Sequence, residues 1–523
     1  MSDRLVLVKD TYLDSVLQMS GTRAMSQSEG VKWATAAMAT AANLETLAEM
    51  GLRGPELEGA RANDLLLAVR ADNPDAAAAA IDAGRAVLFA RQVGAGGTNG
   101  AAGGGGRAAR SLGEALARQA GSDVGGRPNV AIVSVPGPYA SVEAHKALSA
   151  GLHVLLFSDN VSVDEEIELK DRGHDLGLLV MGPGAGTAML GGTGLGFANV
   201  VKRGRVGVVA AAGTGAQEAM SLLDRWGGGV SHVIGVGGRD LSEAVDGRMA
   251  KLAVEALDRD PSTDAILLVS KPPSPEVARA VLSRARATPL VAALIGLDDS
   301  FEVPDGVVAA ATLEEGVAAA LAAIGQQGPD PIEGLEAAVD DACRLLRPEQ
   351  TLVRGLFSGG TLCYESLVIL SRVLGPVCSN TPIDKRYGLP APADQHICLD
   401  LGEEEYTKGR PHPMIDPEAR IELMRREAAD PKVAVILVDV VLGYGSHPDP
   451  AGLLAPVCRE IGAGGEGPRV VAYVLGTDGD PQGLDGQRAA LEDAGCIVTA
   501  TAARASLAAA ALARRQPALV SCL

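Results

Sequence analysis

Aromatic residues are scarce in this sequence, at 3% of 523 residues. Proteins that bind single-stranded nucleic acid need aromatic side chains on which bases stack. The formal net charge of −19 also repels nucleic acid and anionic membrane surfaces. We therefore expect neither nucleic acid nor a membrane as a partner. Small anionic substrates remain possible, because a local site can oppose the overall field.

Cysteine is scarce as well, and all seven cysteines lie from Cys343 onward without a CxxC pair. This pattern excludes a disulfide framework and a zinc site. The chain has no run of about 18 uninterrupted apolar residues, and residues 1–12 form a charged strand pattern rather than a signal peptide. We expect a cytoplasmic protein with reduced thiols, no metal and no required cofactor.

Hydrophobic residues make up 47% of the chain and glycines number 65, which suits apolar helices packed on sheets with many tight turns. With a usual domain size of ~150 residues, a chain of this length is predicted to have three or four domains. Short apolar strands alternate with helices of about ten residues, which predicts βαβ units and parallel sheets. The fold class is therefore α/β, with several doubly wound parallel-sheet domains and a small N-terminal α/β module.

The predicted domain boundaries follow this alternation and one glycine-rich tract. Residues 205–330 and 350–523 share a weak internal similarity: a strand, a glycine turn, and a helix with Glu in its first turns. This similarity predicts two copies of one doubly wound fold. The predicted units are a module at 1–92, a Gly-rich linker at 93–106, and three further domains at 107–204, 205–330 and 350–523.

The strongest local motif is the apolar strand Val206–Ala211 followed by Gly213, Thr214 and Gly215. A helix then begins, and its free N–H groups and positive dipole end point at the turn. Phosphate oxygens fit at such a site without a dedicated cation. The alternative is an ordinary βα turn in which glycine only allows tight packing.

A second motif repeats the first. Ser358, Gly359, Gly360 and Thr361 stand between a predicted strand and a helix that carries Glu365. Two such helix N-termini facing each other would clamp one anion from both sides. This hypothesis requires the two turns to lie within about a phosphate's width of each other.

Two cations stand at the ends of predicted strands. Arg239 follows a glycine pair and can grip a carboxylate or phosphate with two parallel bonds. Lys271 leaves a buried strand at its carboxyl end, where ligands of open α/β sheets collect. Arg239 is equally compatible with a surface ion pair, and Lys271 with a solvated loop.

A long irregular stretch runs from Asp400 to Asp416. Long loops in compact domains serve mainly binding or contacts. Within it, Arg410 and His412 lie between residues that fix the backbone, and His412 is a candidate acid/base or hydrogen-bond donor. A role in pinning the loop is an alternative. The run Glu403–Glu405 is better explained as a solvated surface than as a metal site.

With these motifs in view, nearly the whole chain resembles the FdrA family, which is related to succinyl-CoA synthetase. The resemblance implies a Rossmann-like CoA-binding domain at about 125–200 and two flavodoxin-like ligase domains, similar to the synthetase α subunit at 205–325 and to the carboxyl-terminal β-subunit domain at 350–515. The two glycine turns then correspond to the paired helices that hold the phosphorylated histidine in the synthetase. The segments that carry the resemblance are Phe157–Val161, Leu178–Thr187, Phe197–Val200, Gly213–Glu218, Gly237–Ser242, Ser270–Pro273, Gly359–Leu362 and Gly409–Pro417.

Departures from the family pattern change the expected chemistry. The stretch 294–299 has no His where the synthetase carries its phosphoryl group, no ATP-grasp domain is recognisable, and Lys271 replaces a Glu. Ala212 stands where Ser is common, and Gly184 and Ala185 stand where Asp and Cys are common. A free phosphate or an acyl phosphate therefore suits the predicted clamp better than a phosphohistidine.

The resemblance implies a function in anaerobic allantoin breakdown. FdrA-type proteins are associated with an oxamate carbamoyltransferase, which converts oxalurate and phosphate into oxamate and carbamoyl phosphate. Phosphate would lie between Gly213–Gly215 and Gly359–Thr361, with Lys271 and Arg239 neutralising its charge. Arg410 and His412 would face the carboxylated substrate or complete a subunit contact.

Further expectations concern partners and alternatives. We expect a hetero-oligomer with subunits encoded by neighbouring genes. One alternative function is an acyl-CoA synthetase, which predicts CoA affinity in the 125–200 domain. Another is a non-catalytic scaffold subunit that retains only the fold.

Overall fold

The computed structural model describes residues 2–11, 13, 15–89, 109, 111–119, 126–285, 287–298, 300–407, 411–463 and 465–522. The chain divides into two compact units, Met1–Ala109 with Lys408–Pro411, and Arg110–Thr407 with His412–Leu523. The predicted linker at 93–106 and the candidate site residue Arg410 lie outside the described residues. In the described ranges no helix has the length and apolarity needed to cross a bilayer.

The first unit is a three-stranded antiparallel sheet in the order β1-β3-β2. The central strand β3 serves two apolar clusters because successive side chains point to opposite faces: Leu65 and Leu67 pack with α1 and α3, whereas Leu66 and Ala68 face α2. The elements are β1 (Ser2–Val8), α1 (Ser15–Ser26), β2 (Val31–Met38), α2 (Ala41–Glu49), β3 (Leu65–Ala71) and α3 (Pro74–Leu88).

The second unit begins with a small parallel sheet in the order β4-β5-β6. Helix α6 starts at a capping box, in which Ser162 and Glu165 satisfy each other's backbone N–H groups. The elements are α4 (Leu112–Gln119), β4 (Val130–Val133), α5 (Gly137–Ser149), β5 (His153–Leu156), α6 (Val163–Leu176) and β6 (Val180–Met181).

A seven-stranded sheet follows in the order β13-β12-β11-β9-β10-β7-β8, and its strands β9 to β13 are parallel. The hairpin β7–β8 joins it through antiparallel pairing of β7 with β10, so strand pairing crosses the boundary predicted at residue 204. The elements are β7 (Thr187–Leu190), β8 (Thr193–Gly196), β9 (Arg203–Ala210), α7 (Gly213–Arg225), β10 (Val230–Gly235), α8 (Arg248–Asp258), β11 (Ala265–Ser270), α9 (Pro275–Leu282), β12 (Leu290–Leu294), β13 (Val307–Ala310) and α10 (Leu313–Ala323).

The last sheet has six parallel strands in the order β15-β16-β14-β17-β18-β19. The sequence analysis predicted no strand at β15 or β16, and Asp400, the last residue of β16, begins the stretch that it treats as irregular. The elements are α11 (Leu335–Cys343), β14 (Leu352–Phe357), α12 (Gly360–Leu374), β15 (Val377–Ser379), β16 (His396–Asp400), α13 (Glu404–Thr407), α14 (Glu418–Ala428), β17 (Val433–Val441), α15 (Pro450–Gly462), β18 (Arg469–Leu475), α16 (Leu484–Glu492), β19 (Ile497–Thr499) and α17 (Ala502–Arg514).

The two large sheets share one strand order. In each, five strands numbered by their position along the chain are arranged 2-1-3-4-5: β10-β9-β11-β12-β13 in one and β16-β14-β17-β18-β19 in the other. Flavodoxin-like sheets have this order, and their ligands bind at the carboxyl ends beside the first strand. The predicted α/β fold class with several parallel-sheet domains is confirmed.

One apolar cluster runs through both large sheets. It includes Met220 and Leu223 on α7, Leu362 and Leu367 on α12, and Leu512 on α17. Burial on this scale fixes α7 and α12 in place, and the start of each helix is fixed with it.

Candidate functional site

The two glycine turns touch each other. The Thr361 N–H donates to Thr214 Oγ1 at 3.2 Å. A Cβ atom added to Gly215 would lie 3.0 Å from Thr361 Cγ2, and one added to Gly359 would lie 2.9 Å from Thr214 Cγ2. A side chain at either position would crowd the facing threonine, and the structure brings the two predicted turns together.

A cleft of about 360 Å³ opens beside the two turns, at the carboxyl ends of β9 and β14. Apart from the turns, the side chains discussed below are Gln217, Lys271, Asp400 and His412. Thr187, Phe197, Glu403 and Met414 also line the cleft.

The first turn is open toward this cleft. Helix α7 begins at Gly213, and its N-cap residue Ala212 makes no side-chain hydrogen bond to the first helical N–H groups. These groups carry the positive end of the helix dipole and need an acceptor. These N–H groups are not capped by a side chain of Ala212, and anion binding at the first turn stays a prediction.

The second turn has an internal carboxylate on its donors. Asp439, on the neighbouring strand β17, accepts the N–H groups of Ser358 and Gly359, both at 2.7 Å, and the Ser358 hydroxyl at 2.9 Å. The buried Arg420 donates to the same carboxylate at 2.9 Å. The Thr361 N–H is bonded to Thr214 Oγ1, so three N–H groups of the second turn already have acceptors within the protein, which argues against the predicted two-sided clamp.

Lys271 lies in the cleft, directly after β11. Its Nζ is 3.3 Å from the point where a Cβ on Gly360 would stand. Its charge lowers the pKa of Asp400 against the effect of burial. The structure therefore brings Lys271 beside the glycine turns, as predicted.

Asp400 ends β16 and lines the same cleft with its carboxylate. Its Oδ1 accepts the Gly402 N–H at 3.0 Å, and the Asn380 side chain pairs with its backbone N–H and C=O groups. Burial raises the pKa of this carboxyl to about 6, while Lys271 opposes the rise. The sequence analysis gave Asp400 no role.

His412 enters the cleft as a neutral donor. Its Nδ1 accepts the Met414 N–H at 3.3 Å, so the neutral ring carries its proton on Nε2. That Nε2 is 2.7 Å from the Cβ position of Gly402, at the cleft wall. Burial lowers the pKa of His412 to about 4. The structure thus places His412 at the site as a hydrogen-bond donor without charge near neutral pH.

Arg239 is not brought to the anion site. Its Nε donates to Glu166 at 2.9 Å and its Nη2 donates to the Val161 carbonyl at 2.8 Å. Glu166 also accepts from the buried Lys170 at 2.7 Å. Only the backbone of Gly238 reaches the cleft from this segment. The predicted role of Arg239 in neutralising phosphate is therefore replaced by an ion pair with helix α6.

Gln217 is a further cleft residue that the sequence analysis did not single out. Its Nε2 donates to Asn199 Oδ1 at 3.2 Å, and Asn199 Nδ2 donates to Asp480 at 2.8 Å. Both Gln217 and Asn199 are buried. The chain of bonds fixes the amide of Gln217 at the first turn of α7.

Two family models match the chain. Residues 356–512 match the CoA-ligase family, and residues 1–102 match the family described as AllF, heavy metal-associated domain. The first 102 residues contain neither Cys nor His, and the described part of the chain shows no cluster of three His, Cys, Asp or Glu side chains able to hold a metal. The residues of this module therefore do not fit a heavy-metal site.

Relatives extend the comparison to the whole chain. The uncharacterised protein YahF of Escherichia coli is 39% identical over 97% of this chain and 98% of its own length. The α subunit of the ADP-forming succinate–CoA ligase of Aquifex aeolicus is 29% identical. The matched segment covers 27% of this chain and 48% of that subunit.

Among solved structures, a dinucleotide-forming acetyl-coenzyme A synthetase of Ca. Korarchaeum cryptofilum is 16% identical, with 76% of this chain and 85% of that chain covered and a TM-score of 0.30. The family matches and sequence relatives support an enzyme of the CoA-ligase kind. The chain belongs to the succinyl-CoA synthetase-related family that includes YahF.

Proposed function

We propose that the cleft binds inorganic phosphate at the N-terminus of α7 and exchanges it with the leaving group of an activated acyl compound. A phosphate oxygen forms a bond to the acyl carbon, the bond from that carbon to the leaving group breaks, and an acyl phosphate results. The observation that carries this proposal is the uncapped start of α7 in a cleft that also holds Lys271.

Three groups have defined roles in this reaction. The N–H groups at Gly213–Gly215 and the Lys271 ammonium would hold the phosphate by charge-assisted hydrogen bonds. The Nε2–H of His412 would donate to the acyl carbonyl oxygen as negative charge develops there. Because burial lowers the pKa of His412 to about 4, the ring serves as a neutral donor at physiological pH.

A CoA thioester is the donor that the family matches favour. The segment from β6 to β7 runs into the cleft, where Gly184 and Gly186 form part of the wall. A Cβ on Gly184 would meet nothing within 4 Å, so the space beside Gly184 is open to part of a thioester arm. CoA bound there would supply the thiol that leaves as phosphate attacks.

A ureido acid is the second candidate donor. The match of residues 1–102 to the AllF domain suggests an allantoin-related role. Oxalurate and phosphate would then give oxamate and carbamoyl phosphate, as proposed for an FdrA-type carbamoyltransferase with partner subunits. The same phosphate site would serve, because carbamoyl phosphate is also a mixed anhydride of phosphate.

The test uses the full chain, alone and co-expressed with the products of neighbouring genes. Phosphate-dependent release of free thiol from a panel of acyl-CoA thioesters would support the first candidate. Phosphate-dependent formation of carbamoyl phosphate from oxalurate would support the second. If neither reaction occurs in either preparation, phosphate exchange is refuted and a scaffold subunit is favoured.

A further inference from the structure

The anion cleft contains a buried carboxylate whose charge opposes the ligand. Asp400 is 3% exposed, yet it lines the cleft together with Lys271 and the start of α7. A carboxylate facing a phosphate weakens phosphate binding. Its presence in a site built for anions therefore calls for a chemical role.

Among the described residues, one oxygen of Asp400 has an assigned hydrogen-bond donor. Oδ1 accepts the Gly402 N–H, whereas no hydrogen-bond donor in the described ranges is assigned to Oδ2. That Oδ2 lies 2.4 Å from the Cβ position of Gly360, and Lys271 Nζ lies 3.3 Å from the same point. The free oxygen and the ammonium group therefore flank the first residue of α12, at the edge of the cleft.

Asp439 shows what a structural carboxylate in this region looks like. Both of its oxygens accept backbone N–H groups, from Ser358 and Gly359, and the Ser358 hydroxyl and Arg420 add two further donors. Asp400 has an ammonium nearby and one oxygen left over. The hydrogen bond to Oδ1 is accounted for by a structural role, but a structural role does not account for the position of Oδ2 beside the cleft.

The groups around Asp400 place its ionisation near neutrality. Burial raises its pKa to about 6, with smaller upward contributions from Glu403 and Asp439 and a downward one from Lys271. From the remaining elements, His412 faces it as a neutral ring and Cys363 on α12 as a thiol whose pKa burial raises. A group that ionises near the working pH can both accept and return a proton.

We propose that Asp400 is the proton carrier of the phosphate exchange. As the phosphate oxygen bonds to the acyl carbon, the carboxylate takes the proton from a P–OH group. As the bond to the leaving group breaks, the carboxyl returns that proton to the thiolate sulfur or amide nitrogen. No proton is gained or lost overall, and the step is the same for both candidate donors. This role rests on the proposed phosphate exchange.

Asp400→Asn tests the role by turnover. The variant keeps an acceptor for the Gly402 N–H, and we expect kcat to fall by roughly 100- to 1000-fold. The KM for phosphate should stay the same or fall, because a repulsive charge is removed. The loss of rate below about pH 6, caused by protonation of the carrier, should disappear in the variant.

The matched control is Glu404→Gln, which removes an exposed carboxylate four positions away that does not line the cleft. It should change kcat by less than about twofold and leave the acidic limb where it is. An Asp400→Asn variant that keeps kcat within a few-fold of the unmodified chain, with its acidic limb intact, would overturn the proposal.

A binding measurement separates this proposal from the exchange reaction itself. Sulfate serves as the probe because its own charge does not change between about pH 5 and about pH 8. Any change in its affinity over this range therefore reports a change of charge on a group of the protein. In the unmodified chain, sulfate affinity should rise roughly tenfold as the pH falls through 6 and Asp400 loses its charge. In Asp400→Asn the affinity should be high and nearly independent of pH.

The outcomes are distinguishable. Sulfate affinity that does not vary with pH in the unmodified chain contradicts the placement of Asp400 and overturns its role alone. A pH-dependent sulfate affinity with no turnover of any donor refutes the exchange reaction, and the proton-carrier role falls with it. Absence of sulfate binding removes the anion site and both proposals.

Discussion

The turns at Gly213–Gly215 and Ser358–Thr361 have the same sequence pattern and occupy the same place in two sheets of the same strand order. They differ in what the backbone N–H groups before the helix are bonded to. Neither helix start has a side-chain cap, but in the second turn Asp439 accepts the N–H groups of Ser358 and Gly359. A glycine turn before a helix therefore indicates an anion site only when no carboxylate of the protein already occupies its donors.

The filled turn also supports the open one. The Thr361 N–H bonds to Thr214 Oγ1, so the second turn holds the first in position. We interpret the pair as one anion site at the first turn, with the second turn packed rigidly behind it. The Asp439 carboxylate holds the second turn by accepting its backbone N–H groups, as a bound anion would.

The largest expected effect on the free energy of unfolding comes from removing the Asp439 carboxylate from the second turn. Asp439→Ala leaves Arg420 as an uncompensated buried charge and removes the acceptor of two backbone N–H groups. We expect a loss of about 3–5 kcal/mol in the free energy of unfolding, measured by urea denaturation.

The control for this variant is Asp449→Ala, which removes an ordinary N-cap carboxylate from α15 and should cost about 1 kcal/mol. Equal costs for the two substitutions would show that Asp439 is only another helix cap and that the second turn has no special internal anion.

The second prediction converts the open turn into a filled one. Ala212 has the extended backbone of an N-cap residue, with φ −159° and ψ 121°, so Asp at this position would accept the first helical N–H groups itself. Ala212→Asp should weaken phosphate binding at least about 100-fold, or about 2.7 kcal/mol, without lowering stability. Isothermal titration with phosphate measures the affinity.

Ala212→Asn is the matched variant, because it supplies a similar cap without the charge. It should weaken phosphate binding less than Ala212→Asp does. Unchanged phosphate affinity in Ala212→Asp would mean that the anion does not bind at the start of α7.

The third prediction concerns a feature that both helices share, a buried Glu near each helix start. Burial raises the pKa of Glu218 to about 7 and that of Glu365 to about 8, from 4.5. Each carboxyl therefore contributes stability that is complete below pH 4.5 and is lost as the pH rises through the folded-state value. Glu365→Gln should raise the free energy of unfolding by on the order of 2 kcal/mol at about pH 8 and flatten its decline with pH.

Urea denaturation at a series of pH values between about 5 and 9 measures this effect. Glu336→Gln, at an exposed site on α11, serves as the control and should change neither the stability nor its pH dependence. If Glu365→Gln were less stable than the unmodified chain at every pH, the claim that the buried, ionised Glu365 destabilises the fold would be wrong.

The smallest expected effect is on phosphate affinity in Lys271→Ala, which should fall about tenfold, or about 1.4 kcal/mol, while Lys271→Arg retains most of it. Arg239→Ala should leave phosphate affinity unchanged, because its guanidinium is bonded to Glu166 and the Val161 carbonyl. If Lys271→Ala and Arg239→Ala lost phosphate affinity equally in the same titration, Arg239 would be a phosphate ligand, contrary to this prediction.

The sequence predicted the features that depend on local chain order. The doubly wound sheets, the glycine turn at Gly213–Gly215 and the position of Lys271 all follow from a strand that ends beside a helix start. Arg239 shows the limit of such reasoning. Its partner Glu166 lies 73 positions away, and no local pattern indicates that pairing.

Asp400 and Asp439 were missed for different reasons. Strand β16 follows a proline-rich stretch without clear periodicity, so the carboxyl end that carries Asp400 was taken for part of a loop. Asp439 did give a signal, since it is the single charged residue in the nine-residue apolar strand β17. A buried carboxylate needs partners, but sequence alone does not identify the second glycine turn as that partner.

A crystal structure of the full chain with bound phosphate tests the central claim most directly. We predict a phosphate in contact with the N–H groups at Gly213–Gly215 and with Lys271 Nζ, while Asp439 remains bonded to Ser358 and Gly359. A phosphate that displaces Asp439 from the second turn, or a first turn without phosphate at a saturating concentration, would contradict the one-sided site.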